Sequence, residues 1–227
     1  MALKLTEKLH VVDNVWSFRF SSDTPFDWTA GQFVQVELPH DKPDGEGTKR
    51  WFTVSSAPFE GALQITTRVT GTTFKQALAA LPVGGELTLV DPPDGDFVWE
   101  DTDKPKVFVA GGIGVTPFHS ILKQRAHDHA PLDVSLVCAG RTADLPFKDE
   151  VDQWTKSDPH LRVHYVIAQP LSAKSLAVLE PDLMSSLVYV SGPEPMVETL
   201  GDQLRAAGLP EAQIKQDFFP NYTEANY

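Results

Sequence analysis

The sequence predicts two structural units: an antiparallel β-barrel or sandwich over residues 1–100, then an α/β unit on a parallel sheet over residues 104–227. Three observations carry this expectation. Short period-two segments follow one another closely in the first part, broken by Gly, Pro and Asp. The stretch WEDTDKPK, 99–106, is acidic and contains proline, as a linker would. Beyond it, VFVA, VSLVCA, VHYVIA and LVYVSG are continuous apolar runs of the kind buried on both faces of a parallel sheet, alternating with helical stretches.

In chain order, strands are expected at 9–12, 15–20, 31–38, 50–56, 62–69 and 85–90, with an exposed loop, HDKPDGEGTK, at 40–49. One helix interrupts them. After Gly71 the hydroxyls of Thr72 and Thr73 are placed to cap a helix over 74–80, with Phe74, Ala77, Leu78 and Leu81 at helical spacing; Pro82-Val83-Gly84-Gly85 ends it. Helices are expected near 116–128, 146–156 and 193–207 in the second unit.

Composition excludes several classes. With 19 Lys and Arg against 31 Asp and Glu, the formal charge of −12 repels phosphate backbones and anionic headgroups, so neither nucleic acid nor a membrane surface is an expected partner. No apolar run approaches the ~20 residues of a spanning helix and the N-terminal segment alternates polar with apolar, so a cytoplasmic location is expected. The lone Cys138 excludes disulfides, cysteine-ligated zinc and a four-thiolate iron–sulfur cluster built from this chain. His127 with His129, and His160 with His164, lack the helical spacing of zinc ligands, and Asp91, Asp94 and Asp96 fit turn chemistry better than a calcium loop, so no metal site is expected.

Two segments have the form of anion sites. VFVAGGIGVTPFHSILKQ reads as a buried strand, a glycine turn and a helix with Pro117 in its first turn; Gly111, Gly112 and Gly114 let backbone amides approach a ligand, and Thr116 could cap the helix or donate to a phosphate. The third glycine of a dinucleotide fingerprint is missing, and a plain packing turn is the competing reading. The second is GTTFK, 71–75, where a helix N-terminus and two hydroxyls could hold a diphosphate with help from Arg50 or Arg68; ordinary capping competes there.

These segments occur together with others in a familiar order. RWFTVSS, 50–56, resembles the Arg-x-aromatic-Ser/Thr flavin motif of the ferredoxin–NADP reductase superfamily, and AGQFVQVELP, 30–39, is similar to its preceding strand. DPPDGDF, 91–97, is similar to the barrel-closing segment, AGGIGVTPF, 110–118, to the nicotinamide loop, and YVSGPEPMV, 189–197, to the Cys/Ser-Gly-Pro turn.

The resemblance implies an antiparallel Greek-key flavin barrel followed by a Rossmann-like nucleotide domain. It implies that FAD is bound through Arg50 at the diphosphate, Phe52 against the ring and Thr53 near the nitrogen that receives hydride, with Trp51 inside the same motif. Ile65, Thr66, Thr67 and Arg68 would line the flavin, and Gly71, Thr72, Thr73, Phe74 and Lys75 would clamp the diphosphate. Phe52 stands where the family usually has Tyr, which removes a phenolic hydrogen bond but keeps the stacking face. Gly112, Thr116, Gly192, Pro193 and Glu194 would hold NAD(P)H, and Ser191 replaces the cysteine many relatives place beside the nicotinamide. The segment KQDFFPNY resembles the family's terminal stretch, with Asp217 in the acidic position, Phe219 in the aromatic one, and Phe218, Tyr222 and Tyr227 as alternative ring covers. Thr53, Ser191 and Phe219 are the candidates for positions at the hydride path.

The function implied is hydride transfer from NAD(P)H to FAD and onward passage of electrons to an external acceptor, either a ferredoxin- or flavodoxin-type protein, an oxygenase component, a ferric chelate or free flavin. Rival readings are a flavin-binding subunit active only in a complex, a cofactor-free binding protein, and FMN in place of FAD. Arg141 favours a nucleotide phosphate while Asp144 and Ala168-Gln169 oppose it, which leaves NADH and NADPH open.

Overall fold

A computed structural model of the chain describes residues 1–219. Its first unit contains β1 (Ala2–Val12), β2 (Val15–Ser21), β3 (Phe33–Glu37), β4 (Lys49–Thr53), β5 (Leu63–Arg68), α1 (Thr73–Ala80) and β6 (Glu86–Leu89). The six strands form one antiparallel sheet in the order β4-β3-β6-β1-β2-β5. An isolated bridge between Val54 and Ile65 joins its two ends, so the sheet curls into a barrel. Alternation explains the inside of that barrel: Leu3 and Leu5, Phe18 and Phe20, Val34 and Val36 point inward on successive strands and are buried.

The second unit contains β7 (Lys106–Gly111), α2 (Val115–His127), β8 (Val134–Gly140), α3 (Lys148–Ser157), β9 (Leu161–Ile167), α4 (Ala173–Leu179), β10 (Leu187–Pro193), α5 (Glu194–Ala206) and β11 (Ile214–Phe219). Its five strands pair in parallel in the order β11-β10-β7-β8-β9. The apolar run of β7 is buried on both faces because its side chains alternate between two cores. Phe108 and Ala110 meet Phe118 and Ile121 of α2, whereas Val107 and Val109 share the opposite core with Leu176 of α4 and Leu200 of α5. Ala30 and Phe97, from the first part of the chain, also pack into the α2 side.

The expected barrel and parallel sheet are both present; the differences lie in individual elements. β1 runs for 11 residues instead of four, because Leu3 and Leu5 already alternate inward against β2 and β6. β9 is an edge strand and only its Leu161 is buried, so the VHYVIA run is not covered on both faces as expected. β11 and α4 were not expected. β11 hides its strand character in polar residues, and α4 is a short helix begun by a reciprocal Ser172–Ser175 hydrogen-bonded cap.

Candidate active site

A cavity of about 730 Å³ opens between the barrel and the C-terminal end of β11 together with the turn that follows β7. This is within the usual range of small-molecule sites, and at such an edge of a parallel sheet ligands commonly bind. The barrel contributes Arg50, Trp51, Phe52 and Thr53 from β4, Thr66 and Thr67 from β5, and Thr72 and Lys75 around the start of α1. The second unit contributes Ile113, Thr116, Asp217, Phe218 and Phe219. Twelve of these, all but Ile113, were singled out from the sequence, and they come from both units.

On β4, Trp51 is 52% exposed and meets Phe33 edge-on at 5.2 Å, while Phe52 and Thr53 are both buried on opposite faces of the strand. Thr66 belongs to a buried run of hydroxyls, its Oγ1 lying 2.7 Å from both Ser17 Oγ and Ser55 Oγ. The Thr72 Oγ1 is buried with no hydrogen-bond partner. A buried hydroxyl without a partner costs free energy unless a ligand supplies one.

Arg50 is held differently from the expectation. Its Nη2 donates to Asp44 Oδ1 at 2.7 Å, its Nε to Glu46 Oε2 at 2.9 Å, and its Nη1 faces the carbonyls of Glu46, Gly47 and Lys49. Asp44 also accepts from the Thr73 N–H at 3.3 Å. Burial works against its charge, but hydrogen bonds from Arg50, Glu46 and Thr73 outweigh it and hold the Asp44 carboxyl below the usual range. Thr72 and Thr73 therefore do not cap α1 with their own hydroxyls; Thr73 Oγ1 instead accepts from the Asp44 N–H at 3.0 Å.

Other sequence candidates lie off the cavity wall. Ile65 and Phe74 are fully buried in the barrel core. Arg68 donates to the Asn14 side chain, and Arg141, exposed after β8, is not part of the wall. Gly71, Thr73, Gly112, Ser191, Gly192, Pro193 and Glu194 are likewise not among the lining residues. Tyr222 and Tyr227 fall outside the described residues.

The glycine turn does something other than expose amides alone. Gly112 takes φ +47°, which a side chain would disfavour, and a Cβ on Gly114 would come within 2.2 Å of the Ser191 carbonyl oxygen. The second glycine is thus there for the close packing of this turn on the 191–192 turn. Thr116 Oγ1 donates back to the Ile113 carbonyl at 3.0 Å instead of capping α2. The parallel register of β10 with β11 sets Ser191 opposite Asp217, and Ser191 Oγ donates to Asp217 Oδ2 at 3.1 Å. Burial raises the Asp217 carboxyl to about 6, the Ser191 bond only partly opposing it.

One residue behind the site was missed in the sequence. His119 of α2 is buried, with Nδ1 2.7 Å from the Ser55 carbonyl oxygen and Nε2 3.3 Å from Glu150 Oε2. Next to it, Ser120 Oγ donates to the Ser56 carbonyl at 2.6 Å. Lys123 of the same helix pairs with Glu60 at 3.3 Å, so α2 grips the segment that leaves β4. A lone histidine inside an apolar helix face carries no signal of a partner 64 residues away. Cys138 is buried, which pushes its thiol up to about 12, and it takes no part in the site.

Comparison with known proteins agrees with this geometry. Residues 108–201 match the oxidoreductase NAD-binding domain family. The computed fold superimposes on the flavohem-like FAD/NAD-binding domain of nitric oxide dioxygenase from Vibrio cholerae with a TM-score of 0.80, at 21% identity, covering 96% of this chain and 98% of that one. A ferredoxin NADP+ reductase from Neisseria gonorrhoeae, solved with bound FAD and NADP, gives 0.81 at 19% identity, covering 96% and 98%. The chain therefore shares the two-domain fold of these structures, and the match to the NAD-binding family lies in its second unit. In sequence it is 28% identical over 232 residues to the glycine betaine monooxygenase reductase subunit of Chromohalobacter salexigens, which covers 92% of this chain but 62% of that relative's length.

Proposed function

We propose that the chain is an FAD-dependent NAD(P)H oxidoreductase that passes electrons to an external acceptor. The observation that carries this reading is a cavity walled by the flavin-motif strand on one side and by the nucleotide domain on the other. Bound there, the flavin would accept hydride from reduced nicotinamide and release electrons one or two at a time. The residues fit such a group. Thr72 offers an unsatisfied hydroxyl and Arg50 and Lys75 offer charge for a diphosphate, while Phe52 lines the wall with an aromatic face. Thr53, Thr66 and Thr67 supply hydroxyls, and Ile113 and Phe219 supply apolar cover that excludes water.

At the nucleotide end, Thr116 and Asp217 provide polar contacts, and the buried Ser191, at the start of the turn that carries Gly192, Pro193 and Glu194, holds Asp217 in place. No acid–base dyad is needed, because bringing two rings to contact in a dry cleft is itself the catalysis. The likeness to a monooxygenase reductase subunit makes an oxygenase component the first acceptor to test. The decisive experiment is anaerobic titration of the purified protein with NADH and with NADPH, followed by flavin absorbance. Bleaching by at least one nucleotide is expected; a colourless protein that takes up no flavin, or a flavin that neither nucleotide reduces, overturns the reading.

A further inference from the structure

We propose that the acidic loop 40–48 is an internal competitor for the flavin diphosphate, so that Asp44 and Glu46 set how tightly, and for which flavin, the site closes. The inference rests on the flavin reading above and concerns the loop alone. A guanidinium has five N–H donors. In Arg50 the Nε–H goes to Glu46, one Nη2–H to Asp44, and Nη1 sits among three backbone carbonyls of residues 46, 47 and 49. A bidentate grip on a diphosphate requires donors that the loop already holds.

Charge points the same way. Two carboxylates face the Arg50 guanidinium and offset its charge where a dianionic group would have to enter, with Lys49 and Lys75 the other cations of the cavity wall. Asp44 also takes the Thr73 N–H at the start of α1, the place at which a helix favours an anion. Beside it Thr72 Oγ1 is buried and unpartnered, a donor that Asp44 does not use and a phosphate oxygen could. Glu46 lines the cavity itself. The loop carries Gly45 and Gly47, the latter at φ +73°, so its backbone is built to bend.

Binding FAD then means exchanging Asp44 and Glu46 for phosphate oxygens on Arg50. Riboflavin, which has no phosphate, makes no such exchange. The consequence is a flavin that is held loosely and can be replaced, with the loop penalising phosphate-bearing flavins selectively.

The test is equilibrium titration of this chain, dialysed free of flavin, with FAD and with riboflavin, read by flavin fluorescence. The variants are Asp44→Asn with Glu46→Gln, and Glu46→Gln alone, which keeps the Asp44 contact to α1 in case the double variant folds poorly. The double variant should bind FAD about tenfold more tightly and the single one about threefold, as expected when like charges leave a partly solvated site, with riboflavin unchanged. Unchanged or weakened FAD binding, or equal tightening of both flavins, overturns the loop's role while leaving the flavin site standing. Failure of wild type and variants to bind either flavin removes the flavin reading itself, and the inference falls with it.

Discussion

Asp217 shows how one side chain reports on its surroundings. Its carboxyl is raised from 3.8 to about 6 by burial beside Ser191, so between those values the folded protein carries a proton that the unfolded chain lacks. Stability on this account falls as pH rises from 3.8 towards 6 and stays lower above it. Asp217→Asn removes that slope. Because part of the residue remains open to solvent, the gain at pH 7 is about 1–2 kcal/mol, and thermal unfolding at pH 5 and pH 8 checks it. A variant that unfolds with the wild-type pH dependence would show the carboxyl to be ordinary. At this scale the sequence was partly legible. The RWFT segment named the right wall because four consecutive residues of one strand carry it, so the motif is local in sequence. The partner of Arg50 was not legible, since the fold of a glycine-containing loop decides which of the neighbouring carboxylates it meets.

Among elements, the turn between β7 and α2 has the tightest constraint. Gly114→Ala places a methyl 2.2 Å from the Ser191 carbonyl, against backbone that cannot rotate away. The turn and the 191–192 turn must separate, at a cost of about 1–3 kcal/mol. Since Ser191 orients Asp217, nucleotide affinity should fall along with stability. Urea denaturation and nucleotide titration of the same variant measure the two effects, and a variant with wild-type values for both would contradict the packing described. Glycine, Thr and Pro in the right order made this turn recognisable in the sequence. Its main work, spacing two turns apart by less than a side chain, was hidden because the second turn lies some 75 residues on, and no local pattern encodes a contact at that range. β11 was missed for a related reason: IKQDFF shows neither strict alternation nor an apolar run, and its pairing is fixed by β10.

For the whole molecule, the junction between barrel and sheet rests on α2. His119 contacts the Ser55 carbonyl and Glu150, and its ring stacks on Phe147 at 3.8 Å. His119→Ala strands a buried carbonyl and opens a void, so a loss of about 2–4 kcal/mol is expected in urea unfolding. Glu150 answers to pH in the opposite sense from Asp217. The hydrogen bond from His119 is the largest influence on it, and with the nearby Lys123 it lowers the carboxyl from 4.5 to about 2 despite burial. Its contribution is complete above pH 4.5 and is lost as pH falls towards 2; Glu150→Gln should flatten unfolding over that window, and an unaltered acid transition would refute the contact. The division into barrel and parallel sheet was legible because periodicity of two and continuous apolar runs are chain-wide signals. How the two halves are joined was not, because it depends on side chains from distant segments.

Ser55 is the point where that junction reaches the cleft. Its hydroxyl is tied to Thr66 on the wall and its carbonyl to a helix of the other half. A swing of one half against the other would pull on the wall through this one residue, so the shape of the cleft is tied to the angle between the halves.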